Sequence, residues 1–238
     1  MFQQLHSHPF LNVALVLLGS LTFAASETDP TPSENKEAKP QLRIVCVSSQ
    51  SEDQEVILAS RDENAAWQEH GAIKLRSSLI TEWLPAHAGE LHLALRGAGE
   101  LQSICRFTYP EGAKRALVVL LNDPVKKTYT ADIIDPGKLK FIKGATLLVN
   151  YSPLPGAVVL GSLKTRIKPG ERMTIKPEPD ANGMYRMMVA YADETKELIP
   201  CYDRYVSSNY EARDILLLLP DATLGLKVFS LSEFGPFD

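Results

Sequence analysis

Arg115-Ala116-Leu117-Val118-Val119-Leu120-Leu121-Asn122-Asp123 and Arg213-Asp214-Ile215-Leu216-Leu217-Leu218-Leu219-Pro220-Asp221 are the stretches whose reading decides the fold. Each runs from an arginine through an unbroken aliphatic stretch to an aspartate. A strand with one wet face alternates apolar and polar residues. A run that is apolar on both faces reads as a strand covered on both sides. Two such runs, one in each half of the chain, are expected to pack against each other and make the halves a rigid unit.

Other stretches repeat outward from these two in the same order. Residues 43–49 match 147–152, and residues 56–60 match 158–162. Pro85 with Gly89-Glu90 matches Pro169-Gly170-Glu171, and Cys105 matches Cys201. Five matches in one order predict two copies of one β domain, 42–136 and 144–238, linked by 136–143. Short apolar runs alternate with turn signals throughout, as in an all-β protein. Strands are expected at 42–48, 55–60, 79–84, 90–96, 104–109, 115–122 and 129–134. A second series is expected at 145–151, 157–160, 163–168, 172–176, 185–191, 198–202, 214–219 and 225–230. Extra residues fall around 61–77 in the first copy and 179–195 in the second, and 63–70 can form a short helix. A domain of this size with about seven short strands suits an immunoglobulin-like β-sandwich.

The amino-terminal segment reads as an export signal. Residues 1–25 contain no Asp, Glu, Lys or Arg. The apolar stretch over 10–23 is shorter than the roughly 20 residues that span a bilayer. It fits a signal peptide over 1–24, with Thr22-Phe23-Ala24 before the cut and His6 and His8 where basic residues usually stand. An uncleaved anchor is the competing reading. Residues 25–41 are polar, contain three prolines, and read as a disordered tether. The expected location is periplasmic or secreted, with no transmembrane span in the mature chain.

Composition narrows the partners. With 25 basic and 29 acidic residues the net charge is −4, which argues against nucleic acid. The patterns G-x-S-x-G, H-E-x-x-H and C-x-x-C and the EF-hand loop are absent. Residues 156–162 have the glycine spacing of a phosphate loop but lack its lysine and its helix. His87 and His92, with Glu82 or Glu90, could ligate a metal. Alternation with Leu91, Leu93 and Leu95 instead points His92 to solvent, and the surface reading is preferred. No cofactor is expected. Cys46 and Cys105 both face inward and can form a disulfide; the alternative is three inert thiols, with Cys201.

Two surface features are candidates for binding. Residues 163–176 read as a hairpin with a three-residue loop at 169–171, pairing Ile167 with Met173 and Thr165 with Ile175. Lys164, Arg166, Lys168, Arg172 and Lys176 then share one exposed face. That face serves either edge protection or contact with an anionic partner. Tyr202, Tyr205 and Tyr210 flank the polar loop 203–211 and form a candidate aromatic cluster. Trp83 alternates with Leu79 and Thr81 and is expected in the core.

Leu148-Val149-Asn150-Tyr151-Ser152-Pro153 and Ile167-Lys168-Pro169-Gly170-Glu171 carry a resemblance to tandem immunoglobulin-like sandwiches of uncharacterised secreted bacterial proteins, of planctomycete and verrucomicrobial type. The resemblance covers mainly 144–220. It implies a fold and a compartment and brings no catalytic residues. The expected function is a non-enzymatic, exported binding or structural module of the envelope that contacts a protein or a glycan. A secreted hydrolase with dispersed carboxylates is the alternative.

Overall fold

The computed structural model describes residues 39–47, 53–123, 126, 128–192 and 197–237; the segment expected to be the leader, and the expected tether up to residue 38, lie outside them. None of the described residues is helical. The strands in chain order are β1 (Gln41–Val47), β2 (Gln54–Arg61), β3 (Trp67–Leu75), β4 (Leu84–Pro85), β5 (Gly89–Arg96), β6 (Leu101–Tyr109), β7 (Arg115–Asp123) and β8 (Thr128–Ile134). They continue with β9 (Thr146–Asn150), β10 (Gly156–Leu160), β11 (Leu163–Ile167), β12 (Arg172–Ile175), β13 (Met184–Ala192), β14 (Leu198–Ser207), β15 (Ala212–Asp221) and β16 (Gly225–Phe234).

Four four-stranded sheets result. Outer sheet 1 has the order β3-β2-β5-β6 and inner sheet 1 the order β4-β1-β7-β8. Inner sheet 2 has the order β12-β9-β15-β16 and outer sheet 2 the order β11-β10-β13-β14. Adding eight to every label of the first two orders yields the last two, so one strand plan occurs twice. The parallel pairs carry the same register: Arg43 faces Leu117 on β1–β7, and Leu147 faces Ile215 on β9–β15.

Side-chain alternation divides the interior into three cores. Leu42, Ile44 and Cys46 of β1, with Ala116, Val118 and Leu120 of β7, face outer sheet 1. Val45, Leu117 and Val119 point the other way, where they meet Leu147, Val149, Ile215, Leu217 and Leu219. Leu148, Leu216 and Leu218 face outer sheet 2. The two all-apolar runs meet in the middle core as expected. Neither can alternate in polarity, because each inner sheet has a core on both faces.

Two polar clasps flank the middle core. Glu233 of β16 accepts from Arg43 of β1 at 3.0 Å and from Arg213 of β15 at 2.6 Å. All three residues are buried. Arg213 also donates to the Phe141 carbonyl at 2.7 Å. Elsewhere Asp132 of β8 accepts from Arg172 of β12 at 3.0 Å and from the Tyr151 hydroxyl at 2.6 Å. Burial, with the Asp132 charge beside it, pushes the Tyr151 phenol well above its ordinary range.

Several sequence expectations are corrected. Residues 63–70 form no helix. Asp62 accepts from the amides of Asn64 and Ala66, which closes a tight turn from which β3 starts at Trp67. The 79–84 strand shrinks to a bridge at Ile80 and the two-residue β4, and the Thr81 side chain takes the Ile44 amide. The 163–176 hairpin does not form: β11 pairs with β10, and β12 with β9. Buried Asn150 holds the crossing between sheets. Its amide donates to the Glu171 carbonyl, its carbonyl accepts from the Gly170 amide, and its side chain donates to the carbonyls of Leu154 and Ile167. Ile167 and Ile175 are buried by facing sheets rather than by each other's strand. The match of Cys105 with Cys201 is one residue out of register. The β5–β6 bulge leaves Ile104 without a pairing partner, and the corresponding β13–β14 bulge does the same to Cys201. The Pro85 to Glu90 match joins a segment at β4–β5 to one between β11 and β12, which are not equivalent places in the strand plan.

Candidate binding surfaces

The tip of the β2–β3 hairpin and the β5–β6 turn line an open groove of about 490 Å³ at outer sheet 1. Trp67 is its aromatic element. Pairing of Arg61 with Trp67 sets both side chains on one face of the hairpin, and the guanidinium carbon lies 3.9 Å from the indole centroid. Arg96 donates to Glu69 at 2.8 Å, which ties the turn to β3. Glu100 and the backbone of Gly97 and Gly99 complete the rim. The groove therefore offers planar donors, carboxylate acceptors and an indole.

Beneath Trp67 lies His92. The two rings meet edge-on, with centroids 5.1 Å apart at 89°. His92 also contacts Ser103 Oγ at 3.0 Å through Nδ1 and Glu90 at 3.1 Å through Nε2. It is 6% exposed, not solvent-facing as alternation suggests. Alternation identifies the face a residue occupies, and Trp67 then covers that face. The turn signal at Asp62 and the flanking Arg61 and Trp67 were the available clue to the groove.

His70 and His87 form a second ring pair, with centroids 4.5 Å apart. His70 Nε2 lies 2.9 Å from Ser60 Oγ. Burial, and then the nearby His87, hold the His70 pKa below its ordinary value. Among the described residues no group of three or more His, Cys, Asp or Glu is placed to hold a metal.

The residues singled out from sequence do not assemble as expected. Lys164 and Arg166 lie on β11 opposite Val159 and Ala157. Lys168 and Lys176 lie outside strands, exposed. Arg172 is half-buried in the Asp132 clasp, so the five cations share no face. Tyr202 packs on the third core, whereas Tyr205 is 69% exposed on the opposite face of β14 and Tyr210 stands in the following turn. Residues 203–207 belong to β14 rather than to a loop, and a strand sends positions 202 and 205 to opposite sides. Trp83 is half-buried, between the guanidiniums of Arg43 and Arg115 at 4.5 and 4.7 Å from its ring.

Cys46, Cys105 and Cys201 are free thiols, and no bridge joins the first two. Cys46 and Cys105 fill the first core as small apolar side chains. Burial raises all three thiol pKa values, that of Cys105 to about 11. At neutral pH these are protonated, poorly nucleophilic groups.

Among the described residues no helix is long and apolar enough to cross a membrane. No protein-family model matches the sequence, and no curated protein matches it.

Proposed function

We propose that the chain is an exported, non-enzymatic binding or structural module of the cell envelope, built from two tandem immunoglobulin-like β-sandwiches, and that it contacts a glycan or a protein. The shared middle core is the observation that carries this reading. It joins the paired sandwiches through their inner sheets, which leaves the outer sheets and hairpin tips to meet a partner. Loops and hairpin ends on a rigid scaffold are the usual contact points. Two four-stranded sheets per repeat support the sandwich assignment. The placement of β1 and β2 in separate sheets departs from the immunoglobulin constant-domain order. The leader over 1–24 and a tether that ends before Pro40, whose carbonyl already accepts from the Ala86 amide ahead of β1, belong to the same reading and give the block reach.

The Trp67 groove is the glycan contact in this proposal. An indole meets the apolar face of a sugar ring, and Arg and Glu side chains pair with its hydroxyls. The test is co-sedimentation of the purified chain with peptidoglycan sacculi, together with an assay for released reducing ends. Binding that weakens in Trp67→Ala and Arg96→Ala, without release of reducing ends, is expected. Sugar release by the wild type that is lost in Glu69→Gln would instead identify a hydrolase.

A further inference from the structure

The strand plan allows the two outer faces to be matched position by position. Aligning the bulges after Leu93 and Val189 places Glu69–Ala59–His92–Arg106 beside Lys164–Val159–Met188–Asp203. The next row sets Ala72–Ile57–Ala94–Ser103 beside Arg166–Ala157–Ala190–Pro200. In outer sheet 1 the middle residues Ala59, His92, Ile57 and Ala94 are all buried although they point away from the core. Trp67 packs edge-on against His92. In outer sheet 2 the corresponding Ala190 is buried as well, but Val159, Met188 and Ala157 are only half-buried, and β11 is too short to supply a Trp67.

Charge on the bare face is one-sided. Lys164 and Arg166 are exposed and make no ion pair among the described residues. The acid of this face, Asp203, is already held by Arg186 through two bonds of 2.8 and 2.6 Å. On the β14 side, Tyr205 and Leu198 project at 69% and 58% exposure. An apolar strip with one exposed tyrosine and an unmatched cationic border calls for a ligand that is apolar at its centre and acidic at its rim.

We infer that the outer face of outer sheet 2 docks a partner protein through an acidic segment carrying an aromatic side chain, which settles over Val159 and Met188 while its carboxylates meet Lys164 and Arg166. The inference rests on the binding-module reading but not on the Trp67 groove. Lys164 and Arg166 on β11 would also discourage edge pairing; that role does not require the half-exposed Val159 and Met188.

The test uses the full chain with carbon-13 methionine methyl groups. The probe is a synthetic peptide alternating glutamate and valine around one tryptophan. Titration is expected to shift the Met188 methyl signal and leave that of Met173 in place. Lys164→Glu with Arg166→Glu, both at exposed positions, is expected to weaken binding roughly tenfold or more, and Lys74→Glu, at an exposed position on β3 of outer sheet 1, to leave it unchanged. An unmoved Met188 signal overturns the inference, as does equal affinity in the charge-reversed variant. A Met188 shift produced equally by phosphatidylglycerol vesicles or by heparin also overturns it, because the ligand is then a generic polyanion. A chain that fails to sediment with sacculi but shows the Met188 response loses only the glycan reading.

Discussion

Outer sheets 1 and 2 share one strand order and differ in what lies over them. The first covers its outward apolar residues with its own chain, and the second leaves Ala157, Val159 and Met188 half-exposed. Hairpin length accounts for the difference. The β2 and β3 strands are eight and nine residues long and are joined by a turn after which Trp67 opens β3, whereas β10 and β11 are five residues each and close at Gly161-Ser162. Gly161 has φ +63°, and a Cβ there would sit 2.7 Å from the Glu178 carbonyl oxygen, so the short turn is held to glycine. Identical strand plans thus yield a sealed face and an open one, and a repeat in topology does not imply a repeat in function.

The comparison requires both faces to sit on one intact block, and its severest test removes what holds the block. Glu233→Ala leaves Arg43 and Arg213 as buried, uncompensated charges and should cost about 3–5 kcal/mol. Urea denaturation should then lose its single transition, with the halves melting apart. A variant as stable as the parent would show that the clasp contributes nothing to the joining. The next test addresses the sealed face. Trp67→Ala removes the edge-on contact that covers His92, for roughly 2–4 kcal/mol, at or below the usual range for a large aromatic because Trp67 is half-buried. Met188→Ala, at the corresponding place on the open face, should cost under about 1 kcal/mol. Equal losses at the two sites would end the distinction between covered and bare.

The smallest effect is electrostatic. All three histidines among the described residues, His70, His87 and His92, lie in the first half. The folded protein depresses the His70 pKa, so the unfolded chain binds the proton more readily. The shift costs nothing above the unfolded value of about 6.5, and stability is lost as pH falls from there through the lower folded value. His87→Ala removes the smaller of the two causes. The His70 midpoint, read by proton NMR, should move upward in that variant, and an unmoved midpoint would refute the coupling.

How much was legible in the sequence follows from what each signal measures. The runs at 117–121 and 215–219 reveal two-sided burial directly, because every position is apolar. The hairpin at 163–176 misled for the complementary reason. Ile167 and Ile175 are apolar whether buried by a neighbouring strand or by a facing sheet, and polarity alone cannot separate the two. Arg172 looked like a surface cation because nothing local shows that Asp132, forty residues earlier, lies within reach. The Trp67 groove was missed because 61–77 broke the repeat and was read as an insertion, although most of it is the longer β3.

By itself the sequence determined the all-β class, the paired apolar strands and the contact between them, because alternation and its absence are local properties of a strand. Tertiary structure alone decided which strands share a sheet, which charges became clasps and which outer face was covered. Those outcomes depend on long-range partners such as Asn150 with Gly170, Glu233 with Arg43, and Trp67 with His92, and no local pattern records them.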